Sequence, residues 1–172
     1  MKKFYLLVFA LLISIFLNAC SLLPKPAYTS INRYDFGLIS SHALKNINKN
    51  IKVTLHGVHP SKLVFRVNKN QIKYMEYMRW SFALDDLMTD YLSMSIKCSA
   101  DTISLKIYNW EYDVQAQKVV AVYLLDTSAS QQVLKQSVSV VNTSQQGIIN
   151  AFTELIQQVS KQINTKINCE KF

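Results

Sequence analysis

The chain has 172 residues, with 19 Lys and Arg against 11 Asp and Glu for a formal charge of +8, and 49% of its residues are hydrophobic. Three Gly and three Pro exclude a collagen-like or low-complexity chain, and the even spread of apolar residues excludes disorder over most of its length. Lys outnumbers Arg sixteen to three and no run of five basic residues occurs, so the charge reads as a solvated surface and no nucleic-acid partner is expected.

Lys2 and Lys3 precede Phe4 to Leu17, an apolar stretch interrupted only by Ser14. It is too short for a transmembrane helix, which needs about 20 residues to cross ~30 Å of hydrocarbon, and has the layout of a secretory signal. The stretch ends in Leu17-Asn18-Ala19-Cys20, which resembles the lipobox of bacterial lipoproteins. That resemblance implies a signal peptide over residues 1–19, cleavage before Cys20, a diacylglyceryl group on its thiol and an acyl chain such as palmitate on its new amino group. Three acyl chains, at about 0.8 kcal/mol per buried CH₂, make an effectively permanent anchor. Ser21 stands where sorted lipoproteins retained at the inner membrane carry Asp. The resemblance therefore implies delivery to the periplasmic face of the outer membrane.

Residues 20–33, with Pro24 and Pro26 and no periodicity, read as the lipidated terminus and an extended tether of at most roughly 45 Å. Tyr34-Asp35-Phe36-Gly37 reads as a short strand ending at a glycine. Alternation at Ile51, Val53 and Leu55, at Leu63, Phe65 and Val67, and at Ile72, Tyr74 and Glu76 predicts three more strands, the last two joined by a tight turn at Lys69-Asn70. The period then changes: Leu84, Leu87, Met88, Tyr91 and Leu92 form one helical stripe, with Ser81 as its expected cap and Asp85 and Asp86 in the first turn.

Strands are expected over Thr102–Val114, Lys118–Asp126 and Val133–Val141. A last helix follows, opened by a Thr143-x-x-Gln146 capping box, with Ile148, Ile149, Phe152, Leu155, Ile156, Val159 and Ile163 on its apolar face. This order predicts an α+β fold, an antiparallel-dominated sheet with two amphipathic helices packed on one face.

In the strand Thr102–Val114, Ile103, Leu105 and Ile107 occupy one face while Tyr108, Trp110 and Tyr112 occupy the other. Either a bulge near Ile107-Tyr108 restores one apolar face, or both faces are covered. A third reading makes Tyr108, Trp110 and Tyr112 an interface for a protein or a lipid.

Cys98 and Cys169 each fall just past a predicted helix, and an exported compartment is oxidising. They form a disulfide, closing a loop of about 70 residues and contributing on the order of 4 kcal/mol, or remain two free buried thiols. Of His42, His56 and His59, the last two are three residues apart but have no third ligand nearby, so they read as a surface pair rather than a metal site. Asp85, Asp86 and Asp90 read as solvent-facing helix residues. The chain has no Gly-x-Ser-x-Gly elbow and no phosphate-cradling glycine loop. No catalytic residue, metal or cofactor other than the lipid on Cys20 is expected, and the chain does not read as an enzyme.

The patterned segments resemble the ABC-type transport auxiliary lipoproteins, the PqiC-like group. The resemblance rests on Tyr34-Asp35-Phe36-Gly37, Leu63-Val64-Phe65-Arg66, Ile72-Lys73-Tyr74, and Arg79-Trp80 leading into Leu84-Asp85-Asp86-Leu87-Met88. Pro60-Ser61-Lys62-Leu63 is abbreviated where that group has a longer apolar loop. The resemblance implies one auxiliary domain over residues 34–172, with Tyr34, Asp35, Phe36, Gly37, Phe65, Arg66, Tyr74, Arg79 and Trp80 as family positions. Its implied role is non-catalytic. The lipoprotein sits under the outer membrane and docks the MCE-domain protein of an ABC-type lipid transport system, and a homo-oligomer is compatible with that role. A second reading with the same anchor is an assembly or plug lipoprotein for an outer-membrane β-barrel, as in lipopolysaccharide export.

Overall fold

The computed structural model describes residues 30–37, 50–96 and 102–167. Its centre is β5 (Ile103–Asp113), an eleven-residue strand that pairs with three others. On one side β6 (Lys118–Asp126) runs antiparallel along its whole length. On the other side two short strands lie one after the other. β2 (Ile51–Leu55) pairs in parallel with Ile103–Ile107, and β3 (Lys62–Asn68) pairs in parallel with Glu111–Asp113. β4 (Gln71–Trp80), β7 (Gln131–Ser139) and β1 (Asn32–Tyr34) complete a seven-stranded sheet in the order β1-β4-β3-β5-β6-β7, with β2 beside β5 off this path.

The expected antiparallel-dominated sheet with both helices on one face is not what forms. The sheet is mixed: β1–β4, β2–β5 and β3–β5 are parallel, while β3–β4, β5–β6 and β6–β7 are antiparallel. The reason lies in the connections. Tight turns reverse the chain and enforce antiparallel neighbours, as at Lys69-Asn70, whereas segments joined through long crossovers return in the same direction. The helices also serve different strands. α1 (Leu84–Ser95) lies against β2, and α2 (Gln145–Lys166) lies against β6 and β7.

A bulge in β5 resolves its conflicting faces. Register shifts between Ile107 and Asn109, leaving Tyr108 as the extra residue. One inserted residue flips the parity of everything after it, so Trp110 and Tyr112 join Ile103, Leu105 and Ile107 in the buried core. β6 alternates without interruption, burying Val119, Ala121, Tyr123 and Leu125.

Both helices begin one or two residues away from the expected caps. α1 has Ala83 at its N-cap with no side-chain bond, while Ser81 instead donates its backbone N–H to the Tyr34 carbonyl at 2.7 Å. Asp85 and Asp86 do lie in the first turn. In α2 the cap is Ser144, whose Oγ accepts from the Gly147 N–H at 3.2 Å. Phe152 on α2 stands over Trp110, nearly parallel at 5.7 Å between centroids, and meets Trp80 edge-on at 5.5 Å. The Tyr123 hydroxyl donates to Gln162 Oε1 at 2.5 Å, and Gln136 Nε2 donates to the same oxygen at 2.7 Å, so α2 is tied to both β6 and β7.

Gly147 is fixed by close approach: a Cβ there would lie 1.9 Å from the Asn142 carbonyl oxygen. Gly147→Ala is therefore expected to destabilise the domain by about 1–3 kcal/mol, although Ala is the better helix former by about 1 kcal/mol. A thermal melt checks this, and an unchanged or higher midpoint would refute the clash.

Candidate functional site

The positions that carry the sequence resemblance are spread along β1, β4 and β3, with Tyr34 and Trp80 paired at one end and Phe65, Arg66 and Tyr74 toward the hairpin turn at the other, and they fall into two groups. The first is architectural. Tyr34 is the register partner of Trp80, and its hydroxyl and Asn32 Nδ2 both donate to Gln145 Oε1 at 3.1 Å, which ties β1 to the start of α2. Asp35 Oδ1 then accepts from the Gly37 N–H at 2.7 Å, and Gly37 adopts φ +66°, a value that suits glycine. This turn carries Phe36 into the core, 5.1 Å from the Trp80 ring.

Phe65 meets the Tyr112 ring edge-on at 5.2 Å. Arg66 beside it makes a bidentate pair with the buried Glu111, Nε to Oε1 at 2.5 Å and Nη2 to Oε2 at 2.8 Å, and Nη1 donates to the Lys69 carbonyl at 3.1 Å. The Glu111 hydrogen bond, outweighing partial burial, holds the Arg66 guanidinium still more firmly protonated than usual. Sequence reasoning had Arg66 but not its partner. A Glu between Trp110 and Tyr112 in an otherwise buried strand was the available signal.

Arg79 and the exposed Tyr74 make the second, outward-facing group, and Arg79 is flanked by two cations from outside the set. Arg33 on β1, Arg79 on β4 and Lys62 on β3 are direct register partners, so three cations stand in one row across three adjacent strands. Among the described residues the one salt bridge is Arg66–Glu111, and none of the row is neutralised. Arg79 Nε is buried without a hydrogen-bond partner. Like charges directly opposite each other cost several tenths of a kcal/mol per pair. Beside the row, β1 covers only Met78–Trp80 of β4, so among the described residues the outer edge of Gln71–Tyr77 has no strand partner. Ile72, Tyr74, Tyr77 and Phe82 on and after this strand are exposed.

His59 borders the row. Its Nδ1 accepts from the Ser61 N–H at 3.1 Å and the Lys62 N–H at 3.2 Å, which places the ring proton on Nε2. Burial, then the charges of Lys62 and Arg79, lower its pKa below the usual value. The ring lies 5.3 Å from Tyr74, while the His56 ring lies 5.4 Å from Tyr108, so the two histidines attend different aromatics. Among the described residues no three His, Cys, Asp or Glu side chains form a metal-binding group, and no helix is long and apolar enough to cross a membrane.

Of the three aromatics considered as an interface, Trp110 and Tyr112 are core residues, at 2% and 4% exposure, and only Tyr108 at the bulge is on the surface, at 41%. Cys20, Cys98, Cys169 and His42 lie outside the described residues.

No family model and no curated protein matches the sequence. Among solved structures, the chain is similar to a crystal structure of an uncharacterized protein at 12% identity and TM-score 0.65, covering 81% of this chain and 99% of that one. It is also similar to the crystal structure of protein XCC0632 from Xanthomonas campestris, of family DUF330, at 13% identity and TM-score 0.55, covering 66% of this chain and 78% of that one. At such identities the likeness is one of fold.

Two measurements test the site. Arg66→Met strands a buried carboxylate and is expected to cost about 3 kcal/mol in denaturant melts, most of which the double variant Arg66→Met/Glu111→Leu recovers. A negligible loss in the single variant would show the pair to be dispensable. The second concerns pH. A histidine with a folded pKa below its unfolded value of about 6.5 binds more protons when unfolded, so its stabilising share is complete above that pH and is lost as pH falls through the folded pKa. His59→Asn, which keeps an acceptor and cannot titrate there, is expected to flatten the loss of stability below pH 6.5 relative to the unaltered chain. Parallel profiles would remove His59 from that role.

Proposed function

We propose that this chain is a lipid-anchored, non-catalytic accessory subunit of an ABC/MCE-type envelope lipid transport system, held at the periplasmic face of the outer membrane and docking the MCE-domain protein there. The observation that carries the reading is the run from Lys2 to Cys20, whose charge, apolar length and Leu17-Asn18-Ala19-Cys20 ending resemble a lipoprotein signal. Such an anchor serves a protein whose work depends on where it stands.

Further support comes from the resemblance of Tyr34–Gly37, Leu63–Arg66 and Arg79–Trp80, in that order, to the auxiliary lipoproteins. These segments lie along the two ends of the β3–β4 hairpin as parts of a scaffold: a register pair and a core plug at the Trp80 end, and a buried ion pair near the turn. A rigid scaffold of this kind suits a docking domain. The open β4 edge and the exposed aromatics beside it give a partner both backbone hydrogen bonds and apolar contact.

The test is a crosslinked pull-down from cell envelopes, with mass analysis of the amino-terminal peptide. Co-recovery of an MCE-domain protein and a triacylated Cys20 is expected. Recovery of an outer-membrane β-barrel without any MCE-domain protein would overturn the transport reading, and an unmodified Cys20 would overturn the anchor.

A further inference from the structure

We infer that the row Arg33–Arg79–Lys62 is a binding site for the phosphate of an anionic phospholipid headgroup. The inference starts from charge placed where folding alone gives no reason for it. The sequence has three arginines, Arg33, Arg66 and Arg79. Arg66 is consumed by Glu111, and the other two are set side by side by the β1–β4 register, with Lys62 next across β3. A sheet gains nothing from three like charges in one row, and an anion lying over them turns their repulsion into attraction.

The nearby groups do not quench the row. Among the described residues no carboxylate, Asp35 included, lies within ion-pair distance of Arg33, Arg79 or Lys62, and His59 accepts with its Nδ1 from two backbone N–H groups while presenting no negative charge. Arg79 retains an unpartnered, buried Nε. Planar guanidinium groups bind phosphate oxygens in pairs, and lysine adds a point charge.

The surroundings favour a lipid over an acidic protein segment. Tyr77 lies two residues before Arg79 on β4, which puts it on the same sheet face, and Ile31 immediately precedes β1; both are exposed, at 48% and 41%. Phe82, just past the end of β4, is 69% exposed. Cations flanked by a tyrosine and other apolar side chains match the boundary between headgroups and acyl chains, where aromatic residues and basic side chains gather. Acidic peptide recognition needs only the cations.

The inference rests on the proposed function only for the presence of a lipid surface, and its test does not need Cys20 to be lipidated. The full chain, purified in a neutral detergent, is titrated calorimetrically with mixed micelles containing phosphatidylglycerol or phosphatidylcholine, with inorganic phosphate, and with polyglutamate. Saturable binding is expected for phosphatidylglycerol alone. It should weaken at least tenfold in Arg33→Gln/Lys62→Gln and at high salt, and be retained in Lys135→Gln on β7. The double variant should melt no lower than the unaltered chain, because it loses repulsion.

His59 supplies an independent reading by NMR. Phosphatidylglycerol should raise its titration midpoint, since a bound phosphate offsets Lys62 and Arg79. Equal binding of phosphatidylcholine, equal binding of inorganic phosphate, equal binding of polyglutamate, or undiminished binding by the double variant would each overturn the assignment.

Discussion

The backbone of β5 has to hydrogen-bond on both sides over eleven residues while presenting a single apolar face, and the extra residue at Tyr108 is what reconciles those demands. Before it, the strand serves β2; beyond it, the strand serves β3. Without the insertion Trp110 and Tyr112 would turn away from Phe152, and the stacked contact that joins α2 to the sheet would be lost. Aromatic pairs of this kind are worth about 0.5–1.5 kcal/mol beyond their buried area, and the Trp80–Phe152–Trp110–Phe36 cluster contains several.

Beyond the bulge, the meeting of β3 with β5 spans only three register pairs, too few for backbone bonds to define it strongly. The Arg66–Glu111 pair supplies the definition. A slip of one residue would send Arg66 to the opposite face and leave a carboxylate buried alone, at a cost of several kcal/mol. The β3–β4 hairpin is thereby held in place, and with it the row of cations and the open edge of β4. The surface chemistry of this hairpin thus depends on a buried ion pair four residues along β3 from Lys62.

The later strands, the amphipathic faces of both helices and a bulge near Ile107-Tyr108, as one of the readings of that strand, were readable from residue spacing, whereas the first strand forms at Asn32–Tyr34 and not over Tyr34–Gly37, where Asp35 and Gly37 make a turn instead. The direction of pairing was not, because alternation at Ile51, Val53 and Leu55 is the same whether the neighbour runs parallel or antiparallel. Ile72 and Tyr74 also misled: their alternation suggests a buried face, yet β4 at that point lacks an outer neighbour and both side chains are exposed. Of the site, the positions that carry the sequence resemblance were visible as a set, but their division into core plug, ion pair and surface was not. Arg33, Arg79 and Lys62 are far apart in sequence and become neighbours only through register.

The parallel pairing of β1 with β4 also has a mechanical side. A pull applied at Ile31 along the strand loads its bonds to Met78–Trp80 together, in shear, rather than opening them one at a time as a zipper would. The Gln145 bonds from Asn32 and Tyr34, and Phe36 seated behind Gly37, resist the same displacement. β1 is thus held by a latch that is short but loaded all at once, and tension large enough to draw it out would take Arg33 from its row as well.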